Sequence, residues 1–139
     1  MTFEDAIKSL GAEFGVDLEP EDGAVSFAIA GDDGDSVDIV VREAEDRESA
    51  DISADLGELP AAGGEALLLE MLEANHLFGR TGGAALSVEG SRAKLERRVP
   101  LTDLGRGEGS RILAPFLETA GRWRGIVAGA GGAQDGFQP

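Results

Sequence analysis

Few residues in this chain are equipped for chemistry, and His76 is the first to consider. It is the single histidine, and Glu70 and Glu73 precede it at intervals of three. Di-iron bundles use the same Glu-x-x-His spacing, but they need it from two helices together with further glutamates. Because the motif occurs once here, we predict no metal site. His76 is instead expected at the C-terminal end of a helix, where a cation is favourable.

Two loops resemble ligand sites only superficially. Asp32–Asp38 is rich in aspartate, but its glycine is misplaced for a calcium loop, which favours a solvated hairpin turn. Gly79–Gly83 lacks the Lys-Ser or Lys-Thr of a phosphate loop and precedes a strand. The chain has no cysteine and no Gly-x-Ser-x-Gly motif, so it offers no thiolate and no recognisable serine nucleophile. We predict no enzyme and no cofactor; an enzyme dependent on His76 remains the third alternative.

The charge of the chain limits its partners. The chain has 12 Lys and Arg against 27 Asp and Glu, a net charge of −15 over 139 residues. Nucleic acid and anionic membranes attract basic residues, so both are disfavoured. The N-terminus has neither the basic start nor the apolar stretch of a secretory signal, and no apolar run is long enough to span a bilayer. We predict a cytoplasmic protein that binds no nucleic acid, membrane or small-molecule substrate.

Periodic apolar residues predict one helix and a three-stranded meander in the first half of the chain. Apolar residues at helical spacing indicate a helix over Phe3–Phe14, with Thr2 as its cap and Gly15 as its stop. Alternating apolar residues then indicate strands, joined by turns at Gly31–Asp35 and Glu43–Glu48. The apolar positions of these strands are Val25, Phe27 and Ile29, then Val37, Ile39 and Val41, then Ile52, Ala54 and Leu56.

The second half continues with a helix, a hairpin, a glycine-rich loop and a last helix. We predict the helices over Gly64–Asn75 and from Ser110 to about Val127, with Trp123 packing in the core or at an interface. The hairpin joins Ala84–Val88 to Ala93–Val99. The predicted fold is therefore α+β, in the order α-β-β-β-α-β-β-α with antiparallel strands packed on helices. It forms one domain over residues 1–127, and 128–139 are expected to be a disordered glycine-rich tail.

The helix Gly64–Asn75 has more apolar surface than one sheet can cover. Its apolar side chains span an arc of about 220° at 100° per residue, whereas packing on one sheet needs a stripe of about 100° or a little more. Left uncovered, the surplus would be an exposed apolar patch. We infer that a second subunit covers it, which predicts a homodimer.

One central segment resembles a known family. Leu67 to Val88 reads LLLEMLEANHLFGRTGGAALSV, a leucine-rich helix ending in Ala-Asn, an apolar-aromatic pair, and a Thr-Gly-Gly turn into a strand. This pattern is similar to the Tir-chaperone family, the class I type III secretion chaperones. Arg97–Leu101 and the helix with Phe116-Leu117-Glu118 and Trp123-Arg124 are also similar to the family's C-terminal part. The resemblance covers roughly residues 1–127.

The resemblance implies a non-enzymatic chaperone. Such a protein binds the extended N-terminal region of a secreted effector and keeps it soluble and ready for secretion. Its homodimer is built largely on the second helix and the strands after it. The side chains that we expect at the effector surface or in the core are Phe3, Ile7, Leu10, Val25, Phe27, Ile29, Val37 and Ile39. Those expected at the dimer interface are Leu68, Met71, Leu72, Asn75 and Leu77.

A second function stays open from the sequence. The same fold suits a small acidic adaptor or regulator that binds a folded protein partner instead of an unfolded segment. The two readings differ in whether binding survives deletion of the partner's N-terminal segment.

Overall fold

The computed structural model describes residues 1–30, 36–76 and 80–136, with side chains given up to residue 130 in the last range. This part contains four α-helices and five strands. In chain order they are α1 (Phe3–Phe14), β1 (Ala24–Ala30), β2 (Ser36–Glu43), β3 (Ser49–Glu58), α2 (Gly64–Asn75), β4 (Ala85–Glu89), β5 (Arg92–Pro100), α3 (Leu101–Asp103) and α4 (Gly109–Gly136). The predicted α+β order is confirmed, with the short α3 added.

Local signals determine both ends of α1. The Thr2 hydroxyl oxygen accepts a hydrogen bond from the Asp5 backbone N–H at 3.1 Å, as an N-cap does. Gly15 ends the helix with φ +69°, a left-handed conformation that favours glycine. Both residues were predicted in these roles, because capping depends only on near neighbours in the sequence.

The two predicted strand groups join into one sheet. Its strand order is β1-β2-β3-β5-β4, and every neighbouring pair is antiparallel. The pairing of β3 with β5 unites the meander with the second hairpin, which the sequence pattern did not predict. A register shift between Asp55 and Gly57 interrupts this pairing, and Gly57 has φ +114°. The turn predicted at Gly31–Asp35 lies outside the described residues.

The sheet has one apolar face and one polar face. Residues opposite each other in the register share a face, and Val41, Ile52 and Leu95 lie on the face that is buried. The opposite face carries paired charges instead. Arg92 donates to both carboxylate oxygens of Asp55 at 2.9 and 2.7 Å, and Arg98 donates to Asp51 at 2.7 and 3.1 Å.

The longest helix, α4, packs across β3 and also contacts β2, and α1 packs beside it against Leu104–Glu108. Trp123 is 1% exposed, so its predicted core packing is confirmed. Its Nε1–H donates to the backbone oxygen of Arg80 at 3.2 Å. The Arg80 guanidinium lies 5.3 Å from the centre of the indole ring and pairs with Glu70 at 3.0 Å. These contacts hold the segment after α2 against α4.

The predicted glycine-rich loop after Pro100 is partly helical. It forms α3 and further helical turns over Leu104–Glu108, which are kinked at Gly107, whose φ of +78° is left-handed. Leu101 and Leu104 are three residues apart and both are buried, so their burial stabilises helical backbone despite the glycines. A Cβ added at Gly105 would meet the side chain of Met1, which is exposed and can move aside, so packing does not require glycine there.

The last helix also differs from the prediction. We expected it to end near Val127 and residues 128–139 to be a disordered tail, whereas α4 continues to Gly136. Alanines at 128, 130 and 133 favour helix, whereas the glycines between them disfavour it. Residues 137–139 of the predicted tail lie outside the described part of the chain.

Candidate binding surfaces

Most residues predicted at an effector surface belong to the core. A helix stripe and one face of each strand point inward together, and sequence alternation does not say which face that is. Six of the eight side chains are buried, which places them in the core, although Val37 among them also lines the groove described below. They are Phe3, Ile7, Leu10, Val25, Val37 and Ile39. Phe27 and Ile29 are only partly buried, so the structure leaves these two within reach of a partner.

Phe27 and Ile29 belong to a strand with a free edge. In the strand order β1 has a single neighbour, β2, so half of its backbone N–H and C=O groups face away from the sheet. The sequence of β1, AVSFAIA, has no charge and no proline, the devices that usually protect an edge strand. The β1 edge, meaning the outer side of Ala24–Ala30, is therefore open to an added strand.

An apolar groove lies between the end of this strand and α4. It encloses about 780 Å³. Its floor contains Ile29, Val37 and Leu56, and its α4 wall contains Gly121 and Gly125. We call this space the α4 groove. The sequence pattern did not predict this groove, although two glycines four residues apart in a helix were an available signal.

The rim of the α4 groove carries both signs of charge. Glu118, Arg122 and Arg124 lie on the α4 side and Glu58 on the sheet side. Arg124 donates to the backbone oxygen of Ser36, which links α4 to the start of β2. Two carboxylates and two guanidinium groups leave the rim close to neutral, in a chain whose net charge is −15.

The predicted dimer residues divide into exposed and engaged side chains. Leu68 and Leu72 are 38% and 67% exposed, and Leu69, which was not predicted, is 59% exposed. Met71 is buried in the core, which corrects its assignment. Leu77 lies outside the described residues. The exposed apolar arc of α2 is therefore formed by Leu68, Leu69 and Leu72, and we call it the α2 leucine surface.

Asn75 is engaged within the chain. Its amide nitrogen donates to the backbone oxygen of Leu86 at 2.9 Å, and its amide oxygen accepts from the Leu86 N–H at 2.7 Å. This two-point contact fixes the end of α2 to β4. Asn75 is half-buried, and its contact across a dimer interface stays a prediction.

The residues considered for chemistry do not gather into a site. His76 follows the last residue of α2, as predicted. Within residues 1–30, 36–76 and 80–136, no group of three or more His, Cys, Asp or Glu side chains is placed to hold a metal ion. Asp32–Asp35 of the calcium-like stretch and Gly79 of the glycine stretch lie outside these ranges.

Within the described residues, an ion pair with arginine lowers the pKa of one carboxyl group and a turn lowers that of another. The hydrogen bond from Arg92, helped by the charge of Lys94, lowers the pKa of the Asp55 carboxyl although partial burial opposes the shift. The pKa of Asp46 is lowered because its carboxylate accepts the Glu48 backbone N–H, at 2.8 Å. These shifts stabilise ionised carboxylates on the surface, and neither residue lines the α4 groove. None of the described helices is long and apolar enough to cross a membrane.

Comparison with known proteins gives a family and a fold. The sequence model of the Tir chaperone protein (CesT) family matches residues 5–124. No curated protein matches the chain in sequence.

Three solved structures contain chains of similar fold. A chain in the ExsC-ExsE complex is 16% identical, with a TM-score of 0.68 over 91% of this chain and 97% of that one. A chain in the HopA1-SchA chaperone-effector complex is 17% identical, with a TM-score of 0.65 over 88% and 92%. A chain in the heterodimeric complex ExoU-SpcU, from the type III secretion system of Pseudomonas aeruginosa, is 18% identical, with a TM-score of 0.50 over 78% and 96%.

Proposed function

Since the chain belongs to the Tir chaperone protein (CesT) family, we propose that it is a cytoplasmic type III secretion chaperone. It binds the extended N-terminal region of a secreted effector and keeps that region soluble and secretion-competent. The protein acts by binding alone, without a catalytic residue or a cofactor. The structures similar in fold include a chaperone-effector complex, which supports the same reading.

The observation that carries the proposal is a free strand edge beside an open apolar groove. An extended peptide can add to an exposed edge through main-chain hydrogen bonds, while its alternate side chains enter neighbouring pockets. The β1 edge offers the first feature, and the α4 groove offers the second. Ile29 belongs to both, so one extended segment can contact the edge and the groove together.

The α2 leucine surface supports a homodimer. Three exposed leucines on one helix form a patch of the kind that marks protein–protein contacts. The patch lies apart from the β1 edge, because α2 packs on β4 at the opposite side of the sheet. A dimer formed through it leaves the effector surfaces of both copies free.

Co-expression tests the function. The chain is expressed with each protein encoded in the flanking genes, once at full length and once without its N-terminal segment. The expected result is one partner that is soluble only with the chaperone and loses binding when that segment is deleted. Binding that survives the deletion would replace the chaperone by the adaptor that recognises a folded partner.

A pair of lysine substitutions tests the surface. Ala28→Lys places a charge on an exposed residue of β1, and such charges block strand addition. We expect capture of the partner to fall at least tenfold. Ala62→Lys adds the same charge at an exposed loop position and should leave capture unchanged. Equal capture by the two variants would exclude the β1 edge as the binding surface.

A further inference from the structure

Two glycines shape the α4 groove. Gly121 and Gly125 are exposed positions in the interior of a 28-residue helix, where glycine is less favourable than alanine. A Cβ built on either residue has no atom within 4 Å, so packing inside the chain does not require glycine at these positions. Both residues line the groove, and the missing side chains leave space there.

A glycine also lines the opposite side of the groove, which belongs to the sheet. Gly57 lies at the irregularity of β3, and its built Cβ would come 3.7 Å from Val127 of α4. Its φ of +114° disfavours other residues. Glycines of β3 and of α4 therefore face the groove from both sides, and aliphatic side chains lie between them. Such a site fits one large apolar side chain better than several small ones.

Charge is distributed unequally between the two parts of the chain. Residues 1–79 contain 3 basic and 21 acidic residues, whereas residues 80–139 contain 9 and 6. The sheet side of the groove is formed by β1, β2 and β3, all in the acidic part. Glu4, Asp22 and Glu43 lie together near the start of β1 and make the surface there acidic. A segment lying along β1 passes from this acidic surface to a rim of near-neutral charge. Complementary charge on a partner speeds encounter and aids selection.

We propose, on the basis of the function proposed above, that the α4 groove selects one class of segment. The segment is extended, inserts one large aliphatic or aromatic side chain against Gly121 and Gly125, and carries Lys or Arg beside it. The two glycines determine specificity by keeping the groove empty. The acidic surface around β1 attracts the basic neighbours.

A phage-displayed library of random 12-residue peptides tests the proposal on the purified full-length protein. We expect enrichment of peptides with a Leu, Ile, Phe or Trp flanked by Lys or Arg. The most enriched peptide is then synthesised with a fluorescent label, and its binding is measured by anisotropy. Gly121→Leu and Gly125→Leu should weaken binding at least tenfold, because the new side chain fills the groove. Raising NaCl from 50 to 500 mM should also weaken it.

Gly129→Leu is the matched control. Gly129 lies on the same helix, is exposed and has no atom near its built Cβ, but it does not line the groove. This variant should bind the peptide as the unmodified protein does. All three leucine variants should melt at or above the temperature of the unmodified protein, since leucine favours helix over glycine. A loss of binding without loss of stability therefore reports a filled groove.

The outcomes separate this inference from the proposed function. Peptides that bind all three leucine variants equally would overturn the groove assignment and leave the chaperone function standing. Enrichment of acidic peptides, or binding independent of salt, would overturn the charge selection. A library from which no peptide is enriched would overturn the inference, while the proposed function is decided by the co-expression experiment.

Discussion

A carboxylate from the first helix caps the last one. Glu13 Oε2 accepts the Gly109 N–H at 2.8 Å, and Oε1 accepts the Ser110 N–H and hydroxyl, each at 3.3 Å. The first N–H groups of a helix lack partners within it, and their positive end favours an anion. Glu13 therefore satisfies donors that lie almost a hundred residues away in the sequence. No local pattern could predict this contact, because its partners meet only in the folded chain.

Removing that carboxylate should destabilise the fold. For Glu13→Ala we expect a loss of about 0.5–2 kcal/mol in the free energy of unfolding, the range found for lost helix caps. Urea denaturation followed by circular dichroism measures it. Lys8→Ala, an exposed change on the same helix, should stay within about 0.5 kcal/mol of the unmodified protein. Equal stabilities for the two variants would show that Glu13 does not act as a cap.

The pair Asp55–Arg92 predicts a pH dependence. Because Arg92 lowers the pKa of Asp55 in the folded state, the ionised carboxylate stabilises the fold above the usual Asp pKa of about 3.9. This contribution is lost as the pH falls through the lowered value. Asp55→Asn should cost up to about 1 kcal/mol at pH 7, as partly exposed pairs do, and the difference from the unmodified protein should shrink below about pH 4.

A neighbouring carboxylate provides the control for this effect. Glu96 is exposed on the same face of the sheet, and it takes no part in the ion pairs described there. Denaturation of Glu96→Gln across the same pH range should parallel the unmodified protein. A difference for Asp55→Asn that stays constant from pH 7 to pH 3 would contradict the role of its charge.

At the scale of elements, the sequence predicted those features that depend on the spacing of nearby residues. The bounds of α1 and α2 and the order of the strands follow from periodicity, caps and turns. In the sequence, α2 and β4 separate β3 from β5. The pairing of these two strands therefore depends on contacts that no short segment contains. The same limit applies to the site. Alternation located the strands, but only tertiary packing decides that Ile39 is buried and Ile29 lies open to the groove.

The exposed leucines of α2 predict how a substitution there changes the oligomeric state. Leu72 is two-thirds exposed in the single chain, so Leu72→Asp should leave the fold intact and disrupt only an interface. We expect light scattering after size-exclusion chromatography to give a mass near 14.4 kDa for the variant and twice that mass for the unmodified protein. Val16→Asp changes an exposed apolar residue away from α2 and should remain dimeric. A Leu72→Asp dimer would exclude the α2 leucine surface as the interface.

At the scale of the whole molecule, the net charge sets the response to salt. A charge of −15 on 139 residues repels itself, and salt screens this repulsion as the Debye length shortens from about 30 Å at 0.01 M to 3 Å at 1 M. We expect the melting temperature to rise by roughly 3–5 °C between 20 and 500 mM NaCl, as a gain near 1 kcal/mol produces. A melting temperature that falls would mean that the surface ion pairs outweigh the repulsion.

The uncharged edge of β1 has a consequence when no partner is bound. At neutral pH the charge of the chain keeps copies apart, but most carboxylates become protonated as the pH falls below about 4. Free strand edges of separate copies can then pair, which is how cross-β fibrils begin. Acidifying the free protein should therefore give fibrils that bind thioflavin T. A strand bound along β1 should suppress them, so the partner protects the chaperone as the chaperone protects the partner.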